Sequence, residues 1–143
     1  PFPLAPESEQ TPEAKRRTEL GTHRVLVVED TELVRTITAE MLVVLGCTVE
    51  MAASGHEALA KTAFQDFDLI LMDCQMPGMD GLETTRRLLE LYPERDLQIV
   101  AMTAHTTKQD QSQSIEAGMV GHLNKPFTLN DIQRMVVKYS RKP

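Results

Sequence analysis

From His23 onward the chain alternates between two rhythms of apolar and polar residues. Val25-Leu26-Val27-Val28, Leu69-Ile70-Leu71-Met72 and Ile99-Val100-Ala101-Met102 are short, unbroken apolar runs, the pattern of strands covered on both faces in a parallel sheet. Between them lie longer stretches with helical spacing. The alternation predicts five consecutive βα units, an α/β protein with one parallel sheet, and right-handed crossovers leave few ways to connect it. The first helix is expected over 31–45, with Leu33, Val34, Ile37, Met41, Val44 and Leu45 on its inner face and Gly46 as its stop. A strand over 48–53 follows. Ser54 with Glu57, and Asp80 with Glu83, have cap-and-N3 spacing and place helix starts at 55 and 81. Thr128 and Asp131 repeat that signal before a last helix whose inner face is Leu129, Ile132 and Val136. The stretch 106–117 is mostly Thr, Gln, Ser and charge, with Ile115 almost alone as an apolar anchor, which predicts a weakly held, movable helix.

Composition narrows the function classes. With 143 residues, 41% hydrophobic and 25% charged, the chain suits one domain with a single core. A net charge of −6, with no basic run longer than Lys15-Arg16-Arg17, argues against direct nucleic-acid binding. Met41-Leu42-Val43-Val44-Leu45, the longest aliphatic run, is far below the roughly 20 residues a membrane span needs, so no membrane contact and a cytoplasmic setting are expected. Cys47 and Cys74 have no metal-binding spacing and read as reduced thiols. Residues 1–22, rich in Pro, Glu, Ser and Thr, read as a largely disordered linker or tail ahead of a domain over 23–143. An opening Pro instead of Met is expected of a piece of a longer polypeptide.

The polar residues at the C-terminal ends of the apolar runs carry the chemistry. Glu29 and Asp30 follow the first strand, Asp73 ends the third, Thr103 the fourth, and Lys125 follows the fifth, Gly121-His122-Leu123-Asn124. Ligands of open α/β sheets bind outside those strand ends, so the five residues can converge. Three carboxylates there repel one another unless a cation neutralises them, and Mg²⁺ prefers such oxygen ligands while retaining waters and phosphate oxygens. A carboxylate can take up a phosphoryl group when the charge on its oxygens is stabilised. Asp73 is the central candidate, with Lys125 as a point charge and the Thr103 hydroxyl as a donor.

At V-L-V-V-E-D (25–30), D-L-I-L-M-D-C-Q-M-P-G-M-D-G (68–81), I-V-A-M-T-A (99–104) and N-K-P-F (124–127) the chain resembles the receiver domain of two-component response regulators, over about 23–141. The resemblance implies a flavodoxin-like, doubly wound (βα)5 fold with sheet order 2-1-3-4-5. It implies that Asp73 accepts a phosphoryl group from phosphohistidine, with Mg²⁺ held by Glu29, Asp30, Asp73 and the backbone carbonyl of Gln75. Thr103 and Lys125 would contact the phosphoryl group, and the Lys125-Pro126 bond would be cis. Gln75 and His105 occupy positions that tune the lifetime of the acyl phosphate. His122 stands where the family usually carries a Tyr or Phe that turns inward with the Thr; an imidazole departs from that ring-rotation pattern and would let signalling depend on pH.

The C-Q-M-P run is similar to receivers fused to hybrid sensor histidine kinases, and Phe2-Pro3-Leu4 resembles the closing strand of a kinase ATP-binding domain. Expected partners are therefore a histidine kinase domain and a histidine phosphotransfer domain, with the parent kinase a candidate for inner-membrane anchoring. The fourth helix, fifth strand and fifth helix would form the partner surface. The domain itself would be a phosphoacceptor with slow self-dephosphorylation rather than a turnover enzyme. Three alternatives stay open: a free-standing response regulator, an interaction module that is never phosphorylated, and a Mg²⁺-dependent phosphohydrolase. The last needs a general acid two residues after the nucleophile, where this chain has Gln75.

Overall fold

The structure, a computed structural model, describes residues 23–104 and 107–140. The expected linker over 1–22, including Phe2-Pro3-Leu4, and the tuning candidate His105 lie outside the described residues. The elements run β1 (Arg24–Val28), α1 (Glu32–Val44), β2 (Thr48–Ala52), α2 (Gly55–Phe64), β3 (Leu69–Asp73), α3 (Gly81–Leu91), a 3₁₀ turn (Pro93–Arg95), β4 (Ile99–Thr103), α4 (Lys108–Ala117), β5 (Gly121–Asn124) and α5 (Leu129–Tyr139). All strands pair in parallel, in the order β2-β1-β3-β4-β5. This is the expected flavodoxin-like order.

The unbroken apolar runs have the predicted cause. Every residue of β3 and β4 is buried, because helices cover both sheet faces. On one face Val25, Val27, Leu69, Leu71, Val100, Met102 and Leu123 pack with Leu42 and Leu45 around α1 and with Ile132 and Val136 of α5. On the other, Leu26, Val28, Ile70, Met72, Ile99 and Ala101 pack with Ala58 of α2, Leu88 of α3 and Met119. Ser54, Asp80 and Thr128 each accept a hydrogen bond from the N3 backbone N–H of their helix, and Thr128 with Asp131 forms the complete reciprocal box. Gly46 stops α1 at φ 93°, a conformation that costs glycine little.

Three packing expectations need correction. In α1 the buried residues are Thr38, Ala39 and Leu42, whereas Leu33, Ile37 and Val44 are exposed by 67%, 41% and 56%. The expected stripe is turned by about one residue, or 100°. This helix is apolar on two adjacent faces, so the 3.6 period fits either one; the sheet takes the stripe containing residues 38, 42 and 45. In α5 Ile132 and Val136 are buried, but Leu129, at the first helical position, is 39% exposed. In α4 the expected anchor Ile115 is 66% exposed, and the small residues Ser114 and Ala117 face inward instead.

Candidate functional site

Strand pairing brings the candidate residues together. Val28 of β1 is in register with Met72 of β3, so the next residues, Glu29 and Asp73, emerge side by side at the strand ends. On the other flank, Asp73 is in register with Met102, and Thr103 with Asn124. The Lys125 backbone N–H donates to the Thr103 carbonyl at 2.9 Å, which ties the lysine to the end of β4. The Lys125-Pro126 bond is cis, as expected.

Glu29, Asp30 and Asp73 each place one carboxylate oxygen within 4.8 Å of the others. Glu29 and Asp73 are buried and Asp30 is exposed. Lys125 Nζ donates to Glu29 Oε1 at 2.7 Å and lies 3.4 Å from Asp73 Oδ1. Glu29 Oε2 accepts from the Thr31 N–H at 3.1 Å, and Asp73 Oδ1 from the Gln75 N–H at 3.1 Å. Thr103 is buried and, with Cys74, Gln75 and Ser114, lines a polar cleft of about 180 Å³ beside Asp73. Glu29, Asp30, Asp73, Thr103 and Lys125 therefore share one end of the sheet. Gln75 stands exposed at the rim, and His122 lies half-buried on β5.

Electrostatics follow from this crowding. Burial pushes the Asp73 carboxyl up to about 7, the contact with Glu29 adds to the rise, and the Gln75 N–H and the Lys125 charge pull the other way. For Lys125, burial opposes the charged form, but Glu29 and Asp73 outweigh it and hold the ammonium above its ordinary range. Burial also pushes the free thiols of Cys47 and Cys74 up to about 11, which suits inert side chains.

Two supporting residues escape a reading by motif. Arg35 Nη1 donates to the Glu29 carbonyl at 2.9 Å, holding the acidic turn from α1; its signal is only a cation four residues after the helix cap Thr31. Gly81 starts α3 directly behind the acceptor, where a Cβ would lie 2.2 Å from the Asp73 carbonyl oxygen. Any larger residue there would displace the strand end. The signal was the Asp-Gly pair at the cap, which marks the turn but not the close approach.

The donor set fits a hard divalent cation: three carboxylates and no His or Cys ligand, with Asp73 raised by burial first and by Glu29 second, a cost that a cation would relieve. Comparison with known proteins points the same way. A family profile described as the response regulator receiver domain matches residues 25–137. Hybrid signal transduction histidine kinase L of Dictyostelium discoideum is 36% identical over 124 residues, covering 82% of this chain and 7% of that protein. The aerobic respiration control sensor protein ArcB of Escherichia coli is 38% identical over 116 residues, covering 80% of this chain and 15% of that protein. The chain thus spans a small fraction of the relatives it matches. The receiver domain of a sensor histidine kinase from Pseudomonas aeruginosa, solved with a magnesium ion in its active-site cleft, superimposes with a TM-score of 0.76 at 34% identity, covering 82% of this chain and 96% of that one.

Proposed function

The chain belongs to the response regulator receiver domain family, and from that premise we propose that Asp73 accepts a phosphoryl group from a phosphohistidine and passes the signal on within a hybrid-kinase phosphorelay. The observation that carries this reading is Lys125 Nζ standing 2.7 Å from Glu29 Oε1 and 3.4 Å from Asp73 Oδ1 beside a cluster of three carboxylates. Lys125 is placed to pair with a phosphoryl oxygen in exchange for Glu29. Glu29, Asp30, Asp73 and the Gln75 carbonyl would hold Mg²⁺. When bound, the cation neutralises the carboxylates, lowers the proton affinity of Asp73 and offsets phosphoryl charge.

A carboxylate oxygen of Asp73 forms the new O–P bond as the donor's N–P bond breaks, and the departing imidazole takes a proton from water. The Gln75 N–H fixes the carboxylate's orientation. Thr103, at the end of β4, supplies a hydroxyl to a phosphoryl oxygen. Gln75 and His105, at the positions two beyond Asp73 and Thr103, set how readily water reaches the acyl phosphate. No acidic side chain occupies position 75, so slow self-dephosphorylation is expected rather than rapid turnover.

The donor's approach is the second part of the proposal. An apolar groove of about 380 Å³ runs from Lys125 along Val34, Ile37 and Met41 of α1 to Phe127. It shares Lys125 with the site, and Leu33, next to Val34 in sequence, is exposed, which suits a helix of a phosphotransfer domain laying an apolar face there with its phosphohistidine at Asp73. Among the described residues no helix is long and apolar enough to cross a membrane; we place the domain on the cytoplasmic side, where phosphodonors are made.

The direct test is incubation with Mg²⁺ and acetyl phosphate followed by intact mass. A phosphoryl adduct that is lost in Asp73→Ala supports the reading, and turnover of the donor without an adduct would favour a hydrolase. Ile37→Glu should lower phosphotransfer from a histidine phosphotransfer protein at least about tenfold while leaving labelling by acetyl phosphate unchanged. Equal loss with both donors would count against docking on α1.

A further inference from the structure

The three carboxylates at the strand ends are not held alike. Glu29 is fixed at both oxygens, Oε1 by Lys125 and Oε2 by the Thr31 N–H, and Asp73 Oδ1 is fixed by the Gln75 N–H. Asp30 is exposed, and among the described residues its carboxylate has no hydrogen bond or ion pair. Only its backbone can aim it at the other two, which offer oxygens within 4.8 Å. That backbone is pinned from two sides. The Glu29 N–H donates to the Ala52 carbonyl at 3.0 Å, while Arg35 Nη1 donates to the Glu29 carbonyl at 2.9 Å and makes a longer contact of 3.5 Å to the Asp30 carbonyl. One guanidinium nitrogen carries two N–H donors, enough for two successive carbonyls. Arg35 is half-buried on α1 and, among the described residues, pairs with no carboxylate. Its donors go to the main chain of the acidic turn.

We propose that Arg35 is a positioning residue for the acidic cluster: by bridging the Glu29 and Asp30 carbonyls it sets the direction of the otherwise unheld Asp30 carboxylate and so prepares the cluster for a divalent cation. This rests on the cation-dependent phosphoacceptor reading and deepens it. Positioning and charge predict opposite signs. By charge alone, a guanidinium beside the carboxylates repels a dication, so removing it should tighten cation binding. As a positioning residue, its removal leaves Asp30 free to turn toward solvent, and cation binding should weaken, as it does when a group that orients a metal ligand is lost.

The test is a Mg²⁺ titration of the full ¹⁵N-labelled chain without phosphodonor, followed by amide shifts, which also read weak binding. Arg35→Met, unbranched but with no donor, should raise the Mg²⁺ Kd about tenfold. Arg35→Lys, which keeps a donor and the charge, should stay within about threefold of the wild type. Because the effect runs through Asp30, Arg35→Met in an Asp30→Asn background should add less than about twofold. An unchanged or lower Kd in Arg35→Met, or the full loss repeated on top of Asp30→Asn, would overturn the proposal. A wild-type chain that binds no Mg²⁺ at all would overturn the cation-dependent reading itself and this inference with it. If Arg35→Met does not fold, Arg35→Gln, too short to bridge both carbonyls, takes its place with the same expected loss.

Discussion

Helices α4 and α5 are of nearly equal length, 10 and 11 residues, and each begins at a Thr whose hydroxyl accepts from the N3 backbone N–H, although only α5 completes the reciprocal box. The Thr107 hydroxyl accepts from the Asp110 N–H at 3.1 Å, and the Thr128 hydroxyl from the Asp131 N–H at 3.2 Å. Beyond the cap they differ. Two branched side chains of α5, Ile132 and Val136, are buried completely, whereas α4 turns Ser114 and Ala117 inward and leaves Ile115 66% exposed. Caps decide where a helix starts; apolar spacing decides how firmly it is held. The loosely held helix is the one that follows Thr103, on the flank expected to respond to phosphorylation. The firmly held one follows Lys125, whose charge must stay aimed at the acidic cluster.

The largest effect should separate the two helices directly. Ile132→Ala removes a fully buried side chain and should cost about 2–5 kcal/mol in urea unfolding, while Ile115→Ala should stay within about 0.5 kcal/mol. Comparable losses would mean that α4 is anchored as firmly as α5.

A somewhat smaller effect tests the acidic cluster between the two flanks. The Asp73 carboxyl is raised to about 7 in the folded chain and lies near 3.9 when unfolded, so the native state binds more protons between those values. Stability of the metal-free chain should be highest below about pH 4 with respect to this group and fall as pH rises to about 7. At pH 8, Asp73→Asn should therefore stabilise the metal-free chain by about 1–3 kcal/mol, and Mg²⁺ should shrink the gap. Melting temperatures at pH 5 and 8, with and without Mg²⁺, check both signs. An unchanged or lower melting temperature for Asp73→Asn at pH 8 would mean that the cluster carries no such strain.

The smallest effect concerns the caps. Thr128→Ala should cost about 1 kcal/mol of global stability, whereas Thr107→Ala, in a helix that contributes little to the core, should cost less than half of that. Amide exchange should instead quicken locally in α4. Equal global losses would sink the distinction between starting a helix and holding it.

Much of this molecule was legible in its sequence for a physical reason. Buried parallel strands need unbroken apolar runs, so polar residues at their ends stand out, and Glu29, Asp30, Asp73, Thr103 and Lys125 could be placed together from that alone. Helix starts were legible because Ser54, Asp80 and Thr128 are followed at N3 by acids. The phase of α1 was not, because apolar residues line two of its faces and periodicity cannot tell which one meets the sheet. The same ambiguity hid the exposed stripe of Leu33, Ile37 and Val44. Ile115 misled for the opposite reason: a lone apolar residue reads as an anchor, yet α4 turns Ser114 and Ala117 inward and leaves Ile115 in solvent. Arg35 was missed because its contact is to a backbone carbonyl, which leaves no complementary residue in the sequence.

The central claim is that Asp73, and no other side chain, holds the phosphoryl group. Peptide mapping of the adduct after borohydride trapping, with and without Mg²⁺, tests it most directly. The account predicts modification at residue 73 that requires Mg²⁺ and is reduced strongly in Lys125→Ala. Homoserine found at another carboxylate, an intact-mass adduct with no reduction at residue 73, or equal modification of residue 73 in the presence of a chelator would contradict it.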